Sequence, residues 1–312
     1  MILSVSRRTD IPCFYSDWFF NRIKDGFLYV RNPMNPHQIS RINLSPEFVD
    51  CIVFWTKNPE PMLARLDELK DYHYYFQFTL TGYGRDIECN VPHKRDKMIP
   101  VFRNLSAKIG SDRVIWRYDP IMFTSKYTIE YHIKAFSQIA EALNGYTKRC
   151  IISFVDTYTK NQRNLDALQE YRLEESKLKS FAENLSHIAH KNGMKISTCA
   201  EQLDLSEYGI SHSCCIDKEL IEELLGCKIK AQKDKNQRKE CGCIESIDVG
   251  TYNTCKNGCK YCYANFKMES VIENCKNYDV NSPLLCGVIQ RNEKITERKV
   301  KSLKAGQLSL IE

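Results

Sequence analysis

Six short runs of apolar and β-branched residues, at 2–6, 51–55, 74–80, 114–118, 150–155 and 195–199, are separated by segments with helical patterning. Strands that are apolar at successive positions, rather than at every second one, are buried on both faces. Alternating with helices, they predict an α/β fold built on a parallel sheet with both faces covered. A seventh short strand is predicted at Ile247-Asp248-Val249, and Gly250 lets the chain turn out of it. Seven such strands predict a TIM-like barrel, complete or partial.

The helices are read from their periodicity. The clearest runs from 128 to 143, with Ile129, Ile133, Phe136, Ile139, Ala140 and Leu143 on one face. Another starts at Glu174, aligns Leu178, Phe181, Leu185 and Ile188, and ends at Gly193, a good left-handed terminator. A helix is predicted after Pro12 up to Gly26, and one after Pro59 carrying Met62, Leu63, Leu66 and Leu69. Residues 27–31 and 38–44 flank Asn32-Pro33-Met34-Asn35-Pro36 and read as a hairpin. The chain of 312 residues, 43% hydrophobic, can bury a large core. It holds no apolar run of membrane-spanning length, and Met1-Ile2-Leu3-Ser4-Val5 is too short for a signal segment, so no membrane association and a cytoplasmic location are expected. A net charge of +6 tolerates a nucleic-acid partner without requiring one.

Of fifteen cysteines, eleven fall at or after Cys199. That clustering suits metal ligation in a reducing compartment better than a secreted disulfide framework, which is short and loop-rich. Cys255, Cys259 and Cys262 stand at C-x3-C-x2-C spacing, and Gly258 frees the backbone to wrap them around one centre. Zinc sites more often draw two cysteines from each of two knuckles. Three thiolates on one loop suit an iron–sulfur cluster with one iron left open.

The loop resembles the cluster motif of the radical S-adenosylmethionine (SAM) enzymes, including the aromatic residue, Tyr261, before the third cysteine. The string Gly258-Cys259-Lys260-Tyr261-Cys262-Tyr263-Ala264 is similar to the spore photoproduct lyase branch, and the whole chain resembles an uncharacterised bacterial family that ends in such a cluster. Those enzymes carry the loop after their first barrel strand, whereas here it starts at residue 255, which implies a circular permutation. The resemblance implies a four-iron four-sulfur (4Fe-4S) cluster on Cys255, Cys259 and Cys262, with SAM on its open iron and Tyr261 near the adenine. It further implies a 5′-deoxyadenosyl radical that abstracts hydrogen from a substrate, and an electron donor of the flavodoxin or ferredoxin type.

A parallel barrel keeps its chemistry at the C-terminal strand ends. Here those ends carry Arg7, Arg8 and Asp10; Thr56, Lys57 and Asn58; Gln77, Thr79 and Thr81; Arg117 and Asp119; Ser153 and Asp156; Thr198 and Glu201. Each by itself is an ordinary strand end; six successive ones form a pattern. We take Arg7, Arg8, Asp10, Thr79 and Glu201 as cofactor-binding candidates, with Arg7 and Arg8 on the methionine carboxylate. Arg117, Asp119 and Lys57 are the catalytic candidates. Two apart on a strand, Arg117 and Asp119 point the same way, and could pair with each other or clamp a ligand.

Cys199, Cys215, Cys241 and Cys243 offer four thiolates for a second iron–sulfur cluster or a zinc ion. Cys214 could replace Cys215, and Cys275 or Cys286 could contribute; Cys13, Cys51, Cys89, Cys150 and Cys227 read as structural. Residues 1–200 then form the bulk of the barrel and 201–246 a cysteine-containing connection, exposed along its basic run 228–240. Residues 247–288 complete the barrel, and 289–312 form a basic tail. The tail ends in Gln307-Leu308-Ser309-Leu310-Ile311, which resembles the peptide by which bacterial repair proteins dock on the DNA sliding clamp. The first expectation is therefore a radical SAM enzyme acting on nucleic acid or a nucleotide, in a repair-like role. Modification of a small metabolite or peptide, and a non-catalytic zinc or iron–sulfur nucleic-acid-binding protein, are the alternatives.

Overall fold

The computed structural model describes residues 1–156 and 161–305. The chain opens with β1 (Ile2–Val5), two short helices α1 (Ile11–Phe14) and α2 (Ser16–Asp25), and the hairpin β2 (Phe27–Arg31) and β3 (Gln38–Asn43). It continues through β4 (Cys51–Thr56), β5 (Tyr74–Thr79), α3 (Ile99–Ile109), β6 (Val114–Ile121), α4 (Ile129–Leu143) and β7 (Arg149–Phe154). Then come α5 (Gln162–Ala167), α6 (Glu175–Lys191), β8 (Lys195–Cys199), β9 (Ser211–Ser213) and α7 (Lys218–Leu225). β10 (Ile247–Asp248), α8 (Met268–Lys276) and β11 (Lys294–Glu297) end the series.

Eight strands make one sheet in the order β10-β1-β4-β5-β6-β7-β8-β9, and every neighbouring pair runs parallel. The late strand β10 lies beside β1, with Leu3 opposite Ile247 and Ser4 opposite Asp248. Because side chains alternate along a strand, the sheet presents two apolar faces. On one, Leu3, Phe54, Phe76, Phe78 and Trp116 join Trp18 and Phe19 of α2, Phe102 of α3, Phe136 of α4 and Leu185 of α6 in a single buried cluster. On the other, Ile2, Cys51, Val53, Tyr75, Ile115 and Ile151 are covered by Ile216, Leu220, Ile221 and Ile244. The connection after β9 is thus the core of the second face and not an exposed link, although 228–240 keeps exposed charges.

Local signals place the helix ends. Thr128 caps α4 by accepting from the Tyr131 amide, and Gly26 ends α2 in the left-handed region at φ 75°. The predicted helix after Pro59 winds instead as tighter 3₁₀ turns over Glu60–Leu69, with Met62 N bonded to Pro59 O and Lys70 N to Asp67 O. The basic tail is not free through residue 305. β11 pairs parallel with β3 in a three-stranded sheet, Leu303 N donates to Asp50, and Lys304 bridges to Ile229. Gln307-Leu308-Ser309-Leu310-Ile311 lies outside the described residues. Among the described residues no helix is long and apolar enough to cross a membrane.

Candidate active site

The C-terminal ends of β1, β4, β5, β6, β7 and β8, and the loop after β10, open into one cavity of ≈ 460 Å³. Both cysteine groups singled out in the sequence reach it: Cys255, Cys259 and Cys262 from the loop, and Cys199, Cys215, Cys241 and Cys243 from the connections around β8, β9 and β10.

The loop is set by close backbone approach and a buried carboxylate. A methyl group at Gly250 would stand 2.0 Å from Ser6 Oγ, so only glycine lets the chain leaving β10 pass this close to β1. Gly258, at φ +66°, makes the left-handed turn between Cys255 and Cys259. Asp10 is buried, and its carboxylate accepts from Lys57 N (2.8 Å), Asn257 Nδ2 (3.0 Å) and Cys13 N (3.1 Å). It therefore ties the loop after β1, the end of β4 and the cysteine loop together. Its oxygens serve the protein itself, although Asp10 also borders the cavity expected to hold a cofactor. Changing Asn257 to Ala is expected to cost about 1–3 kcal/mol, because it strips one donor from a buried carboxylate. Urea denaturation measures this, and a loss below about 0.5 kcal/mol would mean the loop is held elsewhere.

Burial pushes all three loop thiols up, Cys255 to about 12. Such thiols become ligands by losing protons to an incoming metal, so metal uptake would release acid.

Beside the loop sits Glu88, 1% exposed. Its carboxylate takes Lys57 Nζ at 2.7 Å, Thr81 Oγ1 at 3.0 Å, the Lys94 ammonium and the Tyr261 hydroxyl. Burial by itself would raise this carboxyl; the ammonium groups of Lys57 and Lys94 outweigh it and hold it down at about 2. Lys57 and Tyr261, predicted as a catalytic residue and an adenine contact, are thus both anchored on Glu88 while bordering the cavity. Glu88 is a buried network residue that sequence reasoning missed: it lies in an irregular stretch, and nothing local marks it as buried.

Arg117 and Asp119 pair with each other, Arg117 Nε at 2.9 Å from Asp119 Oδ2. The same guanidinium donates to Cys215 Sγ at 2.8 Å and Gln77 Oε1 at 3.3 Å, and lies over Trp55 at 5.3 Å. Arg7 covers Trp55 at 5.7 Å and donates to Ser246 Oγ at 3.0 Å. Arg8 reaches Gly250 O at 3.3 Å and covers Tyr252. Thr79 is on the cavity wall; Glu201 is not among its lining residues, and instead accepts from Phe154 N at 2.7 Å, with burial pushing its carboxyl up to about 7. Arg7 Nε and Thr9 Oγ1 are buried without a hydrogen-bond partner among the described residues, and both residues line the cavity. Thr9 is a second residue that the sequence did not single out.

In the other group, Cys199 Sγ lies 2.8 Å from Cys215 Sγ, and Cys243 Sγ accepts from Ile216 N at 3.4 Å. Cys214 packs against Gly242 and is not on the wall, so Cys215 is the cavity-facing member of that pair. Cys275 bonds Tyr15 and stands apart from the cavity, as does Cys286. Among the described residues no three His, Cys, Asp or Glu side chains are arranged, as they stand, to hold a metal ion.

Fold and site together define a mixed α/β protein with an eight-stranded parallel sheet and a thiol-lined cavity at its strand ends. The chain belongs to the family described as "Domain of unknown function (DUF1848)", which matches residues 2–264, from β1 through the cysteine loop. No curated protein matches it. Among solved structures it is similar to a protein provisionally described as an alpha-L-fucosidase from Bacteroides thetaiotaomicron VPI-5482, at 14% identity and a TM-score of 0.25, over 58% of this chain and 73% of that one. Nothing about fold or chemistry is carried over from a likeness of that size.

Proposed function

We propose that this chain is a radical SAM enzyme on a TIM-like barrel, circularly permuted so that the strand bearing the cluster loop comes last. One observation carries the reading. β10 lies beside β1, so the spatial order begins with the cluster strand, and the loop that follows it brings all three cysteines to the cavity at the strand ends. The donor set fits a cluster with one open iron: three thiols from a single loop, with no fourth residue of that loop competing. The two unpartnered buried donors, on Arg7 and Thr9, fit a polar ligand beside it. Cys255, Cys259 and Cys262 would hold the cluster, and Arg7 and Thr9 would bind the carboxylate and amino end of SAM. When bound, the pair supplies radical hydrogen abstraction, powered by an external electron donor.

The chain's own residues line and position. Trp55, Tyr261 and Tyr263 wall the cavity, while Glu88 keeps Tyr261 and Lys57 in place. A nucleic acid or nucleotide remains the preferred substrate class, because the basic stretch 228–240 reaches the cavity through Asn236, Gln237 and Arg238. Nucleic-acid binding that weakens steeply with salt is the mark of that class.

Anaerobic reconstitution with iron and sulfide is the test. The protein is expected to turn brown, to bind about four irons or more per chain, and to change its reduced EPR signal when SAM is added. Changing Cys255, Cys259 and Cys262 together to Ala should abolish that SAM-dependent change. A wild-type chain whose spectrum ignores SAM, or one that takes up zinc and no iron, would overturn the proposal.

A further inference from the structure

The geometry points to a second metal centre: a tetrathiolate site formed by Cys199, Cys215, Cys241 and Cys243 on the wall of the same cavity. The four come from three separated pieces of chain, the end of β8, the segment after β9 and the approach to β10, and only the fold brings them together. Cys199 Sγ and Cys215 Sγ are 2.8 Å apart. Cys241 and Cys243 pack in the same cluster as Cys199 and Cys215, Cys243 Sγ accepts from Ile216 N next to Cys215, and all four border the cavity. Thiols are weak hydrogen-bonding groups, and a structural cysteine needs only an apolar niche. Four of them gathered at one cavity wall is a different arrangement.

The surroundings suit a charged centre. Beneath the thiols lie the apolar residues Ile216, Leu220, Ile221 and Ile244, which keep water from that side. On the cavity wall are two guanidinium groups, Arg7 and Arg117, both over Trp55, and Arg117 donates directly to Cys215 Sγ. Four thiolates around a zinc ion, or around a 4Fe-4S core of charge +2, carry a net charge of about −2. A buried charge of that size requires cations of this kind.

As placed, the thiols do not form a ready metal cage, and the distances explain this. Ligands sharing one ion at about 2.3 Å stand about 3.8 Å apart. Cys199 and Cys215 are closer than that, so entry of a metal must spread them. Binding exchanges four thiol protons for the metal, with no change of redox state when the metal is zinc. A 4Fe-4S core of charge +2 would be assembled without a net redox step from equal parts of the ferrous and ferric iron supplied in the reconstitution, with one sulfide per iron.

This inference does not rest on the radical SAM reading, and the test separates the two. The full chain carrying Ala at Cys255, Cys259 and Cys262 is reconstituted anaerobically, in one arm with zinc and in the other with ferrous and ferric iron plus sulfide. Metal per chain is then counted after desalting. We expect one arm to retain about one zinc or about four irons per chain. Adding Cys241→Ser and Cys243→Ser should abolish that retention, and Cys199→Ser by itself should shift the absorption spectrum of the loaded site. Circular dichroism of the metal-free variants, matched to the parent, verifies that loss of metal is not loss of fold. Should the quintuple variant unfold, the Cys199→Ser spectrum decides. Overturning results are a triple variant that retains neither metal, or retention and spectrum unchanged by the serine substitutions.

Discussion

Replacing Glu88 by Gln is expected to destabilise the protein by about 3–5 kcal/mol at pH 7, the cost of breaking a buried ion pair from one side. Gln keeps the shape and removes the charge. Lys57 and Lys94, whose side chains are 12% and 18% exposed, then lose the carboxylate that compensates them. The pH dependence tests the cause. Glu88 falls from an ordinary 4.5 to about 2 on folding, a shift equivalent to about 3 kcal/mol. A carboxyl lowered by folding stabilises the native state above its unfolded value and loses that contribution as pH falls through its folded value. The gap between wild type and variant should therefore be constant from pH 7 to about 5, and should shrink below 4.5, to less than about half by pH 3. Urea midpoints across this range measure it. A gap that ignores pH would show that the ion pairs are not what Glu88 contributes. Adding Lys57→Met to the variant should restore part of the loss, since one stranded ammonium is removed.

Gly250→Ala should cost about 2–5 kcal/mol, combining steric overpacking with the loss of a charge-assisted hydrogen bond. The added methyl would lie 2.0 Å from Ser6 Oγ, 2.7 Å from Ser6 Cβ and 3.2 Å from Thr9 Cγ2. Ser6 cannot swing aside cheaply. Its hydroxyl donates to Asp248 Oδ1 at 2.6 Å and accepts from Arg8 N at 3.0 Å. The strain must instead push the chain after β10 away from β1, which displaces the cysteine loop. Equilibrium unfolding should show the destabilisation, and iron uptake in the reconstitution should fall with it. Ser6→Gly in the same chain removes both short contacts and should recover most of the stability. If Gly250→Ala unfolds at the wild-type urea concentration, the close approach of these strands is not a constraint.

Much of the architecture is local and was therefore legible. β1 and β4 to β7 are strands whose burial on both faces leaves an apolar run, and α4 and α6 carry their helical period in the side chains facing the sheet. The cysteine loop was legible for the same reason: its spacing and Gly258 lie within one turn of chain. β9 left no such trace, because Ser211-His212-Ser213 pairs at the sheet edge, and Ser211 and His212 are exposed. β11 was read as tail, since Lys294-Ile295-Thr296-Glu297 becomes a strand only by pairing with β3.

What the sequence by itself determined is a set of local preferences: a parallel α/β sheet, polar strand ends, and two groups of cysteines. Only the tertiary structure decided that β10 joins the sheet beside β1, that residues 214–244 fill the second face, and that both cysteine groups share one cavity. It also turned Asp10, Lys57 and Arg117 from free-standing candidates into members of buried networks. Tyr261 meets Glu88 across 173 residues of sequence, and Asn257 meets Asp10 across 247. No periodicity or spacing encodes such a contact. It follows from how the strands order themselves, and that order is selected by the joint burial of two faces of one sheet.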